Sequence, residues 1–401
     1  MLDLRQLRDQ LGRVPETQAG TRDLREKQRR RALRALQEVA DEWQRVQARV
    51  QQTQPGHLVA ALRSSPTMTA ASSARPTPMT VVSTDGSQIY PDRHIEPTYF
   101  LLNIGRVAFQ YGTTESPVLD AVPDLRFPSD LNDHFDEVLS TMTTEVVSAL
   151  RDEQELAELL RLARETHVPG RPIVALADGT LIRWMLRGMQ NRAVEEELIE
   201  RYTGMLREFR EEQFPIASYI SMPGNTELVN LLRFHLDELE EEAPHPATVD
   251  EVNPGEVDEE EPPLAGLLDR HVFASVLARG ERSAVFGSMS RIQRQYPEGN
   301  EICYFYLHVP VNDHESEIAR VEIPAWVADD RPLVDLVHAV VMSECRKGEG
   351  YPLVLSEAHE RAVIRAPERD AFQRLLGRTL RRAGLSSPHS QKRRSKQRPR
   401  V

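Results

Sequence analysis

The chain has only two cysteines in 401 residues, Cys303 and Cys345, far apart and in no Cys-x-x-Cys spacing. That excludes a disulfide framework and a structural zinc site, and it suits a reducing cytoplasm. No apolar run approaches the length of a membrane span, and the opening Met1-Leu2-Asp3-Leu4-Arg5 is charged and lacks the apolar core of a signal peptide. A cytoplasmic protein without membrane association is therefore expected. The chain contains no Gly-x-x-x-x-Gly-Lys-Ser/Thr loop, so any ATP-driven movement has to come from a partner. Its histidines, His308 and His314 among them, show no His-x-x-x-His spacing.

What is present is a 40% apolar composition, enough for a sizeable core, and a net charge of −12. The charge is local. Residues 237–261 hold twelve acidic side chains and no Lys or Arg, so the rest of the chain sums to zero. With its Glu and Pro content and little to bury, the segment 237–263 is expected to be a mobile acidic insertion. At the other end, Lys392-Arg393-Arg394-Ser395-Lys396-Gln397-Arg398 lies in a basic tail, residues 386–401, expected to be disordered and suited to attracting phosphate. Leu24, Leu33, Leu36, Val39, Trp43, Val46 and Val50 recur at spacings of three and four with some gaps, predicting an amphipathic helix over 21–52 within an N-terminal helical segment, 1–55. A Ser/Thr/Pro/Ala-rich linker, 56–78, is expected to separate it from a main domain at 79–380.

Two segments of that domain repeat one pattern. Val81-Val82-Ser83-Thr84-Asp85-Gly86-Ser87 and Val174-Ala175-Leu176-Ala177-Asp178-Gly179-Thr180 each run a small apolar strand into Asp-Gly-Ser/Thr. An Asp ending a buried strand is held rigidly at the sheet edge, and the Gly behind it is expected to let the chain turn. Side by side, two such acids suit Mg²⁺ or Mn²⁺, and paired ions about 4 Å apart clamp the attacking and leaving oxygens of a phosphodiester. Strands are predicted at 81–84, 99–104 and 107–111, the last two joined by a Gly105-Arg106 turn, then a helical region over 133–166. A fourth strand, 173–177, leads to Asp178 and a helix opening near Leu181-Ile182-Arg183-Trp184. Three strands, a helix and a fourth strand bearing the second acid predict an α/β fold with a ribonuclease-H-like mixed sheet core and helical extensions. In that order the first and fourth strands are neighbours and the helix between them can add a third carboxylate. Haloacid-dehalogenase-like phosphatases are excluded, because their nucleophilic Asp would stand where Ser83 and Leu176 do.

The same motifs resemble the NurA nuclease family. The likeness spans about 79–380 and rests on Asp85-Gly86-Ser87-Gln88, Leu176-Ala177-Asp178-Gly179-Thr180-Leu181-Ile182-Arg183-Trp184, Gly280-Glu281-Arg282-Ser283, and Ala319-Arg320-Val321-Glu322-Ile323-Pro324-Ala325-Trp326. Gly350-Tyr351-Pro352-Leu353 and Glu357-Ala358-His359 complete it. The resemblance implies a manganese-dependent deoxyribonuclease, a 5′-to-3′ exonuclease with single-strand endonuclease activity. It also implies a homodimer docking on a hexameric HerA-like ATPase in DNA end processing.

Carried over residue by residue, it makes Asp85 and Asp178 metal ligands and places a third ligand on the preceding helix. Glu155 is the choice there, with Glu153 and Glu158 as nearby alternatives. Tyr351 and His359 are expected at opposite ends of a short strand, Leu353-Val354-Leu355. His359 would bind metal or pass a proton to the leaving oxygen, and Tyr351 would orient a phosphate or water. Arg183, and Arg282 or Arg320, are expected to hold phosphates. A nuclease-like scaffold of a DNA-translocating ATPase, without catalysis, is the competing expectation.

Overall fold

The computed structural model describes residues 4–11, 14–91, 98–127, 144–183, 192–242 and 263–384. In chain order its elements begin with helices α1 (Leu4–Leu11), α2 (Val14–Asp41) and α3 (Trp43–Thr53) and strands β1 (Ala60–Leu62) and β2 (Thr69–Ala71). The central stretch holds β3 (Met79–Ile89), β4 (Phe100–Tyr111), β5 (Val118–Arg126), α4 (Thr144–Thr166), β6 (Ile173–Asp178), α5 (Arg192–Glu211) and β7 (Ile216–Ile220). There follow α6 (Glu227–Glu242), α7 (Asp269–Val276), β8 (Glu281–Ser283), β9 (Phe286–Ser288), β10 (Ile302–Pro310) and β11 (Ser316–Pro324). Four helices close the order: α8 (Ala325–Ala328), α9 (Arg331–Lys347), α10 (Leu353–Ala362) and α11 (Ala366–Arg382). The chain forms two compact units, one from Met1–Ser72, Ile220–Gln293 and Ile302–Glu322, the other from Ser73–Tyr219, Arg294–Glu301 and Ile323–Val401.

In the first unit the predicted N-terminal helix is two helices, broken at Glu42, whose φ of −130° is not helical. Leu36, Val39, Val46 and Val50 enter the unit's core beside Leu228, Leu232 and Phe273, whereas Leu24 is exposed. The stretch 56–78 contains β1 and β2, which pair antiparallel with β9 and β8. Their partners lie more than 200 residues away, and composition alone reads small polar residues as linker. Most of the acidic segment, 243–262, and the basic tail from 385 onward lie outside the described residues.

The second unit carries the Asp-Gly motifs. β3, β4 and β5 form an antiparallel meander, while β6 lies parallel to β3 on its other side and β7 parallel to β6. The order β5-β4-β3-β6-β7, three antiparallel strands followed by two parallel ones reached through helices α4 and α5, is the ribonuclease-H-like arrangement. First and fourth strands are neighbours as expected, with Val81 opposite Val174 and Ser83 opposite Leu176.

Two glycines act differently from the sequence expectation. Gly105 and Arg106 make no turn; β4 runs through them, with Gly105 opposite Asp85. A Cβ at Gly105 would stand 2.3 Å from the carbonyl oxygen of Ala358 and 2.6 Å from the nitrogen of Ala362, so this glycine lets the α10 backbone lie directly on the strand. Gly86 does not end its strand either. β3 continues to Ile89, and a Cβ at 86 would meet Glu155 Oε1 at 2.4 Å and Arg151 Cγ at 2.8 Å. Only the second motif turns as expected, with β6 ending at Asp178 and Gly179 at φ +76°.

The helical start expected at 181–184 is absent over the described residues 181–183. Thr180 Oγ1 accepts the Ile182 N–H, and the Tyr296 hydroxyl accepts from the Arg183 N–H while donating to the Leu181 carbonyl. These bonds satisfy the backbone without a helix. Helix α4 begins at Thr144, and 128–143, which takes in the start of the expected helical region, lies outside the described residues, as does Trp184.

Candidate active site

Strand alternation sorts the residues around β3 onto two faces. Thr84 and Arg106 meet α4: the Thr84 hydroxyl donates to the Glu155 carbonyl at 2.8 Å, and Arg106 pairs with Glu165 at 3.1 Å. The gap left by Gly86 opens on the same side and admits the Glu155 carboxylate. Asp85, Ser87 and Asn103 meet α10. His359 Nδ1 lies 2.8 Å from Asp85 Oδ2, and Ser87 Oγ (2.5 Å) and Asn103 Nδ2 (2.8 Å) both donate to the Ala362 carbonyl. Continuing the parallel register two residues past Ser83 and Leu176 sets Asp178 level with Asp85. The two acids thus stand at one end of neighbouring strands.

Tyr351 completes the group by donating its hydroxyl to Asp178 Oδ1 at 2.9 Å; the Gly179 N–H donates to the same oxygen. Its ring stands edge-on to buried Tyr219 at 5.4 Å, one strand over from Asp178. Residues 353–355 are not the expected strand but the first turn of α10, with Val354, Leu355, Ala358 and Ala362 buried at helical spacing. A three-residue apolar run is ambiguous between helix and strand, and the Pro352 N-cap decides it here. Tyr351 therefore precedes the helix, and His359 lies two turns inside it. Buried Glu344 on α9 accepts the Val354 N–H at 3.2 Å, fixing the start of α10 and with it both residues.

The three candidate glutamates have different partners. Glu153 pairs with Arg201, and buried Glu158 accepts from Gln154 and Arg161. Glu155 alone reaches Gly86, with Arg151 Nε 3.0 Å from its Oε1. Burial lifts the Glu155 carboxyl to about 8; Asp152 and Asp85 push the same way, against the pull of Arg151 and Arg183. Asp178 is exposed at its strand end, yet enclosure of its carboxyl and the charge of Asp85 raise its pKa against the hydrogen bonds from Tyr351 and Gly179. Burial and adjacent Asp178 hold the Tyr351 hydroxyl firmly protonated.

Residues 79–364 match the NurA domain. The chain belongs to the NurA family. This is a nuclease family, and the match runs from the first residue of β3 to just past the end of α10, taking in every residue of the cluster. A NurA crystal structure with manganese is 8% identical, with 77% of this chain and 91% of that one covered at a TM-score of 0.37. A second NurA crystal structure is 11% identical over 77% and 90%, TM-score 0.35. The catalytic domain of human endonuclease V is 13% identical over 85% and 98%, TM-score 0.32. No curated protein matches the chain.

Within this NurA domain, no three His, Cys, Asp or Glu side chains among the described residues are gathered closely enough to hold a metal ion as they stand. Asp85 is engaged by His359, Asp178 by Tyr351, and Glu155 by Arg151. The donor chemistry nonetheless fits a hard divalent ion. Asp85 and Asp178 stand at one strand end with His359 on Asp85, and Asp85 raises the pKa of both Glu155 and Asp178, leaving negative charge that a cation would relieve. The sequence reading missed Arg151, whose signal is an Arg four residues before Glu155 on one helix face. It also missed buried Asp152, which accepts from Arg151 at 2.7 Å and Arg183 at 3.4 Å.

The arginines expected to hold phosphates have other roles. Arg183 is mostly buried, paired with Asp152 and set over the Tyr202 ring at 4.4 Å. Arg320, in the first unit, is fully buried between Glu227 at 2.7 Å and Glu322 at 2.9 Å, against the face of Tyr304. Arg282 is buried there as well, beside the Phe305 ring. In the described residues 237–242 the acidic segment continues α6. No described helix is long and apolar enough to cross a membrane.

Proposed function

We propose that this protein is a metal-dependent deoxyribonuclease in which Asp85, Glu155, Asp178 and His359 hold Mn²⁺ or Mg²⁺ and Tyr351 orients Asp178. The observation that carries this reading is the meeting of Asp85 and Asp178 at one end of neighbouring parallel strands, each bonded to a residue of the Tyr351–His359 segment. When bound, the ion supplies Lewis acidity at the phosphodiester. A carboxylate only accepts hydrogen bonds, so Asp85 takes the hydrogen of His359 Nδ1 and leaves Nε2 as the one ring nitrogen free either to hold the ion or to exchange a proton with the leaving 3′ oxygen. Glu155, protonated near neutral pH in the metal-free state, would hold the ion only as the carboxylate, so its proton would have to leave first. Tyr351 holds the Asp178 carboxylate in one orientation through a hydroxyl that does not itself titrate.

The substrate is DNA, cut as a 5′-to-3′ exonuclease and single-strand endonuclease. The protein acts as a homodimer with a HerA-like hexameric ATPase in end processing and double-strand break repair. The absence of a phosphate-binding Gly-Lys-Ser/Thr loop from the sequence supports a separate motor. End-labelled single- and double-stranded DNA, incubated with Mn²⁺, Mg²⁺ or EDTA, tests the reading against folded Asp85→Ala and Asp178→Ala variants. Metal-dependent cutting lost in both variants supports it. A wild type inert even beside a HerA-like ATPase, or variants that cut equally well, would replace it with the scaffold reading.

A further inference from the structure

The NurA match ends at residue 364, and α11, Ala366–Arg382, lies beyond it. The helix is anchored in the second unit by Phe372, whose ring meets Tyr99 edge-on at 5.5 Å, and by buried Gly377 and Leu380. Phe372, Leu376 and Leu380 recur every four residues and define its inner face. Arg374, Arg378, Arg381 and Arg382 fall on the opposite face at i, i+4, i+7 and i+8, and all four are exposed. None forms an ion pair or side-chain hydrogen bond among the described residues.

Residues 371–382 contain no acid, in a chain where acids outnumber Lys and Arg by 62 to 50. The helix dipole accounts for Arg381 and Arg382 in the last turn but not for Arg374 and Arg378. The helix begins four residues after Ala362, the last residue of α10, whose carbonyl accepts from Ser87, two residues past Asp85.

We propose that the arginine face of α11 is a track for the phosphodiester backbone of the DNA strand that reaches the site, an addition to the NurA domain that sets affinity for long substrates. The inference rests on the nuclease reading above. Arg374 to Arg382 span about 12 Å at 1.5 Å per residue, matching roughly three steps of a strand rising 3.4 Å each. Contacts of this kind position the strand without reading its sequence.

The test is binding of a fluorescent single strand to the full chain in EDTA, by anisotropy across a salt series. It compares wild type with R374Q/R378Q/R381Q and with R22Q/R25Q/R30Q on α2 as a charge-matched control. Loss of three phosphate contacts predicts about 10- to 100-fold weaker binding at low salt and a slope of log affinity against log salt shallower by about 2. The control should bind as wild type. A triple variant with wild-type affinity and slope, or a control that weakens binding equally, overturns the proposal. Because binding is read without metal, that result leaves the nuclease reading standing. A wild type that cuts no DNA removes the nuclease reading itself.

Discussion

Replacing Glu155 by Gln tests the electrostatic description of the cluster without any metal. The folded protein holds this carboxyl at about 8, against 4.5 for the free side chain. Below 4.5 both states carry the proton. As pH rises from there, the unfolded chain loses it and the folded protein keeps it, so the stability present at low pH is lost progressively and is gone above about 8. At about 1.4 kcal/mol per pH unit, that interval bounds the loss at about 5 kcal/mol. The side chain remains 20% exposed, and solvent screening lowers the expected figure to about 3 kcal/mol. Gln stays neutral at every pH and keeps an oxygen for Arg151. In thermal unfolding with EDTA, the Glu155→Gln melting temperature should stay near wild type at about pH 5 and pull ahead steadily, reaching about 4–6 °C above it near pH 8.5. A difference that does not change with pH would refute the reasoning, since it would mean that Glu155 titrates normally when folded.

Gly86→Ala should leave the fold intact, because the clashing atoms belong to the Glu155 and Arg151 side chains, but displacing Glu155 should lower DNA cleavage about 100-fold, read from initial rates beside circular dichroism. Gly105→Ala meets helix backbone instead and should cost about 3 kcal/mol or more in denaturant unfolding. Tyr351→Phe removes the hydroxyl bonded to Asp178, and titration calorimetry with Mn²⁺ should show affinity falling about 10- to 100-fold with little change in melting temperature. Arg320→Ala strands buried Glu227 and Glu322 and should destabilise by about 3–5 kcal/mol, a loss that urea unfolding will detect.

Much of the site was legible because local chemistry wrote it. An apolar run ending in Asp-Gly marks a strand delivering a carboxylate, and the succession of strands and helices is enough to set Asp85 and Asp178 on neighbouring strands. Which of Glu153, Glu155 and Glu158 lies beside Gly86 was not legible in that way. Their separation along α4 is at most one turn and a half, and only the gap at Gly86 and the competing partners Arg201 and Arg161 distinguish them. The run Leu353-Val354-Leu355 was misread because three apolar residues fit either periodicity, whereas the burial of Ala358 and Ala362 extends the pattern into a helix.

By itself, then, the amino-acid order determined the apolar segments that form β3 and β6, the inward faces of the helices and the identities of the acids, all properties that depend on neighbours a few residues away. The tertiary structure decided what the glycines are for and what the arginines do. A missing Cβ carries no record of which backbone will fill its place, so Gly105 reads as a turn until α10 lies on it. A guanidinium reads as a phosphate ligand until burial against Glu227 and Glu322 commits Arg320 to the core, because the energy of a charge depends on the partners and solvent that only the folded chain brings to it.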